Sequence, residues 1–262
     1  MDLGINGRKA IVAGASTGMG KESAFALARE GVELYISARN EPRLVAVAQE
    51  IADTTGTKVT PVVADHSTME GRNRLLEACP VPDILVITCS PPRFVDSYRE
   101  IEPGEWMDVL STTFLGPVEL MRATIDGMKN QGFGRIVNIA TIGAKTGSDT
   151  RVLSGAPRAA LCNYAAATAR PLAKFNIAIN TILPGMFETK GAFKLFGDLA
   201  QKNGSSYQEE VDKWFAKTGI PAARFGDTAD VGALCAMLCS QHASYIIGQS
   251  IVIDGGLMRS VF

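Results

Sequence analysis

Short apolar runs alternate with longer amphipathic ones along this chain. Lys9 to Ala13 has the length and unbroken apolarity of a strand, and Gly18 to Glu30 carries apolar residues at helical spacing. Val32 to Ile36 and Pro42 to Ala52 repeat the pair, which predicts βαβα. The alternation continues through Val59 to Ala64, Thr68 to Ala78, Ile84 to Ile87, a helix from about Glu105 to Lys129, and Arg135 to Ile139. A further helix leads to a strand at Ile177 to Ile182, and the series closes with a helix (Ala229 to Leu238) and a strand (Ser250 to Ile253). Strands apolar on both faces belong in a parallel sheet with helices on each side. The pattern predicts one doubly wound α/β unit over residues 1–262, with about seven strands. Residues 187–221 break the rhythm, and an excursion of that length reads as a lid-like cover over a site.

Composition narrows the partners. The 262 residues are 46% hydrophobic and 20% charged with a net charge of −1, which excludes a disordered chain and argues against a nucleic-acid-coating one. The five cysteines are scattered through apolar stretches and read as reduced thiols of a cytoplasmic protein. Cys235 and Cys239 share a helix face, but no histidine or second pair accompanies them, so buried small side chains are expected and a metal is not. The N-terminus lacks a basic region before an apolar stretch, and no long apolar span occurs, so neither secretion nor a membrane is expected. A small molecule remains as the natural partner.

The candidate chemistry begins where the first strand becomes a helix. Gly14, Ser16, Thr17, Gly18, Met19 and Gly20 form a glycine-rich turn there, and amides at a helix N-terminus favour a pyrophosphate. Turns also use glycine without any ligand, so the strand-turn-helix context carries the dinucleotide reading. About twenty positions beyond such a turn an acid would bind a ribose 2′-hydroxyl. This chain has Ser37-Ala38-Arg39-Asn40, and Arg39 favours a 2′-phosphate, hence NADP(H); the alternative is a solvated surface charge.

These residues resemble the short-chain dehydrogenase/reductase superfamily, a Rossmann-type fold, over essentially the whole chain, and particularly its β-ketoacyl-acyl-carrier-protein reductase branch. The resemblance rests on the glycine turn, Asp65 after the third strand, Asp83 to Val86, Gly134 to Ile139, Asn180 to Gly185 with Thr189, and Gly248-Gln249 with Asp254-Gly255-Gly256. It implies cofactor contacts at Asp65, His66, Cys89, Ser90, Arg158, Pro184, Gly185, Phe187 and Thr189, besides the turn, Arg39 and Asn40. It also implies a homotetramer built through the two long helices and the last helix and strand. Ala159, Ala160 and Ala165 to Ala167 would permit close helix approach.

The family's catalytic tetrad is replaced. Its serine, tyrosine, lysine and helix-four asparagine fall at Thr141, Ser154, Arg158 and Thr113, and Ile87-Thr88-Cys89-Ser90 stands for Asn-Asn-Ala-Gly. Tyr164 lies ten residues past Ser154 on the same predicted helix, about 15 Å along its axis, and reads as a packing or interface residue. A serine hydroxyl is a far weaker acid than a phenol, and an arginine stays protonated. Thr141 and Ser154 could still orient a carbonyl oxygen while Arg158 holds the ribose and polarises that oxygen. The expectation is an NADP(H)-dependent, 3-oxoacyl-reductase-like oxidoreductase of a carbonyl or secondary alcohol. A silent NADP(H)-binding sensor or partner subunit stays open, as does a lyase or isomerase using His66, Asp149 or Lys145, although His66 fits an adenine pocket and the other two a solvated loop. Met186, Phe187, Phe193, Leu195, Phe196, Leu199, Trp214 and Phe215 suggest either a lid over an apolar substrate or ordinary packing.

Overall fold

The computed structural model describes residues 1–188 and 190–260. Strands β1 (Lys9–Ala13), β2 (Glu33–Ala38), β3 (Val59–Val63), β4 (Ile84–Thr88), β5 (Gly134–Ile139), β6 (Ile177–Pro184) and β7 (Ser250–Ile253) form one parallel sheet. Their order is β3-β2-β1-β4-β5-β6-β7. The chain therefore works outward from β1 to β3 and then returns to the other flank of β1. That reversal of strand order, at the C-terminal ends of β1 and β4, is where open α/β sheets bind their ligands in a crevice.

The helices are α1 (Gly18–Arg29), α2 (Glu41–Thr55), α3 (Met69–Ala78), α4 (Pro103–Leu110), α5 (Gly116–Gln131), α6 (Val152–Leu172), α7 (Lys190–Asn203), α8 (Tyr207–Thr218) and α9 (Thr228–Cys239). Side chains of β1 alternate between two cores. Ala10 and Val12 join α1, α2 and α9, while Ile11 and Ala13 face α3, α5 and α6. Burial on both faces explains the unbroken apolar runs, and each such Val, Ile or Leu contributes about 1.5–3 kcal/mol. Among the described residues no helix is long and apolar enough to cross a membrane.

One expected element differs. The helix anticipated from about Glu105 to Lys129 is two, α4 and α5, joined by a π turn at Ser111–Leu115. Within it, Thr112 and Thr113 donate their hydroxyls back to the carbonyls of Asp108 and Val109, at 2.9 and 2.7 Å. The Thr112 carbonyl accepts from outside the helix, from the His66 ring at 3.1 Å and the Cys89 thiol at 3.2 Å. Back-bonding hydroxyls and an externally engaged carbonyl both favour a local widening of the helix.

The excursion is ordered around its own small core. Phe196, Val211, Phe215 and Ile220 are buried there with Leu199, Tyr207, Trp214, Phe225 and Leu257 against them. Trp214 stacks on Phe225 with ring centres 6.0 Å apart. Phe187 is buried and bridges to Gly226, closing the base of the excursion. Of the aromatic and aliphatic set that suggested a lid, Met186, Phe193 and Leu195 remain exposed. Thr189 lies outside the described residues.

Candidate functional site

The glycine turn is shaped by two constraints. Gly14 and Gly18 have φ of +81° and +55°, where side chains with a Cβ are strained. A Cβ on Gly14 would strike the Thr88 carbonyl, whereas one on Gly18 would meet nothing within 4 Å. Gly14 thus lets β1 and β4 approach, and Gly18 leaves open space before the helix. Thr17, in extended backbone, precedes α1 without capping it, and the first turn holds no acid. Helices α2, α3, α8 and α9, in contrast, are each capped by a side chain. The free amides of α1 therefore fit a pyrophosphate, flanked by Ser16, Thr17 and Met19.

Beyond the turn lies a pocket of about 230 Å³ lined by Arg39, Val63, Ala64, Asp65, Thr68 and Arg74 among others. Arg39 is largely exposed and sits 3.8 Å from the Asp65 carboxylate. Burial raises the Asp65 carboxyl, but hydrogen bonds from Ser67 and the charges of His66 and Arg39 bring it below its ordinary value. Asn40 caps α2 by accepting from the Arg43 amide at 3.0 Å. These residues fit a phosphorylated adenosine, with Arg74 and Thr68 joining as wall residues that sequence reading missed. Arg74 pairs with Glu70 at 2.6 Å, an i, i+4 spacing that by itself marks only a solvated helix pair.

His66 is buried between the Thr112 carbonyl and the Cys89 thiol, whose sulfur lies 3.4 Å from Nε2. A carbonyl only accepts, so Nε2 carries the proton. Burial pushes the imidazole below its ordinary value. It likewise pushes the Cys89 thiol up to about 11, which leaves it unreactive despite the nearby Arg158 charge.

At the far end of the crevice, Arg158 is 4% exposed on α6. Its Nη1 donates to the Ser154 carbonyl at 3.3 Å and hydroxyl at 3.1 Å, and Nη2 donates to the carbonyls of Cys89 at 3.2 Å and Ser90 at 3.5 Å. One guanidinium thus gathers Cys89, Ser90 and Ser154. Ser154 accepts from Arg158, so its own proton is free to donate elsewhere. Thr141 accepts from the Gly143 amide at 3.3 Å, in a turn packed so closely on α6 that a Cβ on Gly155 would strike the Gly143 carbonyl. Thr113 is buried with its hydroxyl proton committed to Val109. Pro184 and Gly185 end β6, where Gly185 donates to the Ile253 carbonyl at 2.9 Å and admits Asp254 closely. Tyr164 packs edge-on to Phe114 with centres 6.3 Å apart.

Sequence reading also passed over Arg151. It stands three residues before Ser154 and seven before Arg158, a spacing that would have flagged it as sharing their helix face. Its guanidinium lies 3.7 Å over the Phe94 ring.

Residues 14–258 match the family described as enoyl-(acyl carrier protein) reductase. The chain is 30% identical to the 3-oxoacyl-[acyl-carrier-protein] reductase of Aquifex aeolicus, over 98% of this chain and 100% of that one. It is 29% identical to the NADPH-dependent reductase BacG of Bacillus subtilis, over 97% and 99% of the two chains. The solved structure of L-sorbose reductase from Gluconobacter frateurii, complexed with NADPH and L-sorbose, superposes with a TM-score of 0.94 at 27% identity, and covers 100% of both chains.

Proposed function

The chain belongs to the short-chain dehydrogenase/reductase superfamily, in the family described as enoyl-(acyl carrier protein) reductase, and from that premise we propose an NADP(H)-dependent oxidoreductase. It acts on the carbonyl or secondary alcohol of a small molecule, in the manner of a 3-oxoacyl reductase. The observation that carries the reading is the buried Arg158 guanidinium, bracketing Ser154 on one side and the Cys89-Ser90 backbone on the other, at the C-terminal edge of the sheet.

In this reading Gly14, whose amide is spent with that of Ala15 on the Ser37 carbonyl, shapes the turn, the free amides from Gly18 to Gly20 hold the pyrophosphate beside Ser16 and Thr17, Arg39 takes the 2′-phosphate, and Asp65 and His66 border the adenine. Arg158, Cys89 and Ser90 face the nicotinamide ribose, and the backbone of Pro184, Gly185 and Phe187 frames the carboxamide. When bound, NADPH supplies a hydride to the carbonyl carbon. Ser154, its oxygen already accepting from Arg158, donates its hydrogen bond to the substrate oxygen, and Thr141 completes that contact. Arg158 stays protonated, although burial lowers its pKa, and it stabilises the growing alkoxide through Ser154. The proton that ends on that oxygen comes from water relayed by Ser154. Lacking a phenolic acid removes about 10²- to 10⁴-fold in rate, while positioning supplies roughly 7–11 kcal/mol, so turnover is slow but real. The same resemblance supports a homotetramer.

A second reading, a silent NADP(H)-binding protein, has one observation in its favour: Tyr164 packs on Phe114 and no tyrosine takes the Ser154 position. NADPH absorbance assays against ketones, ketoacyl thioesters and aldehydes separate the two. The expected result is slow turnover that Arg158→Ala lowers by at least about 10²-fold. An inert wild type, with turnover gained by Ser154→Tyr plus Arg158→Lys, would establish the silent reading instead.

A further inference from the structure

We propose that the substrate carries a carboxylate, received by Arg151 beside the buried charge of Arg158 at the start of α6. The proposal rests on the oxidoreductase reading and narrows its substrates to oxo and hydroxy acids.

Arg151 immediately precedes α6, and Arg151, Ser154 and Arg158 follow one another at spacings of three and four, so they share a helix face. Neither arginine has a carboxylate within 4.0 Å among the described residues. Arg158 is held only by a hydroxyl and backbone carbonyls. Arg151 lies half-buried over Phe94, and its charge acts on Arg158. The acids nearby are engaged elsewhere: Glu105 pairs with Arg93 at 2.7 Å, and Asp149 accepts from the Thr150 amide at 2.8 Å. Other arginines of this protein, Arg8, Arg74 and Arg122 among them, sit against acids. Arg135 is also without an acid, but it is sealed inside the fold against Phe133, with its donors on backbone carbonyls and Asn176.

Two guanidinium groups so placed repel each other, and partial burial strengthens the repulsion. An anion between them reverses the sign of that interaction. A carboxylate suits a guanidinium because its two oxygens match the parallel N–H donors. The receiving side is held in place as well as charged. The Val95 amide donates to the Thr150 carbonyl at 3.1 Å, tying the loop that carries Phe94 to the loop that carries Arg151. The Phe94 face then fixes the guanidinium plane from below. Ser154 lies between the two charges on the helix face, where a carbonyl close to the carboxylate would meet it.

The test loads the protein with NADPH and titrates in 2-oxobutanoate, 3-oxobutanoate and 4-oxopentanoate, each beside its methyl ester, following quenching of cofactor fluorescence. At least one acid is expected to bind about tenfold more tightly than its ester. Arg151→Gln removes that preference while leaving NADPH and ester affinity unchanged, and Arg151→Lys restores most of it. Esters that bind as well as every acid, failure of all three acids to bind, or an unchanged acid-to-ester ratio in Arg151→Gln would each overturn the proposal. Failure of the protein to bind NADPH at all would overturn the oxidoreductase reading beneath it, and this one with it.

Discussion

His66 shows how one side chain can couple the cofactor crevice to stability. Burial of its ring outweighs the bond it donates to the Thr112 carbonyl, which favours the charged form, so the fold favours the neutral imidazole. The unfolded chain therefore binds a proton more readily than the folded one. Stability from this group is fully present above about pH 6.5 and is lost as pH falls through the depressed folded value. Melting temperature measured across that range should fall on the acid side in the wild type and fall less steeply in His66→Gln. Parallel acid limbs for the two proteins would rule this assignment out. At this scale the sequence was most informative where register could be counted between fixed motifs. Thr141, Ser154 and Arg158 were located that way, and the last two are in contact in the structure. Arg151 was reachable through its spacing from Ser154 and Arg158, but its contact with Phe94, brought in by a different loop, leaves no trace in local pattern.

Elements were legible wherever burial imposed a period. All seven strands fall within a few residues of their expected limits: the central ones because a strand buried on both faces has to be apolar throughout, and the half-buried edge strands β3 and β7 because they keep short β-branched runs. The π turn was not legible, since its threonines have ordinary helical spacing and its outward carbonyl depends on His66 and Cys89. The glycine turn lies between these cases. Its glycines are visible in the sequence, but only the structure separates their purposes. Gly14→Ala drives a Cβ into the Thr88 carbonyl as well as straining φ, and should lower the melting temperature sharply. Gly18→Ala strains φ alone and should cost about 1–2 kcal/mol of stability, while placing a methyl where a pyrophosphate would lie. Thermal melts and NADPH titration of the two variants should therefore rank oppositely, with Gly14→Ala worse in stability per unit of affinity lost. Equal stability losses would remove the distinction.

Over the whole molecule, the division of apolar surface decides what remains for other partners. Residues 187–221 offered an apolar set that suited a lid or a core equally well. The structure commits Phe196, Trp214 and Phe215 to one another and to Phe225 and Leu257, which follow the excursion in sequence. Hydrophobic periodicity within the excursion could not reveal partners outside it. Met186, Phe193 and Leu195 stay exposed there, and outside the excursion Met107 on α4 is 60% exposed and Leu115, at the end of the π turn, 45%. Both belong to the helical segment that family resemblance gives to subunit contact. Side chains of this kind along paired helices are stabilised when a second copy covers them. Light scattering should accordingly return a mass four times the 27.9 kDa of one chain. Met107→Arg places a charge in that contact and should shift the mass toward smaller species, with NADPH affinity retained because the glycine turn lies on other elements. A monomeric wild type would exclude this surface as an interface and leave its exposure without a partner.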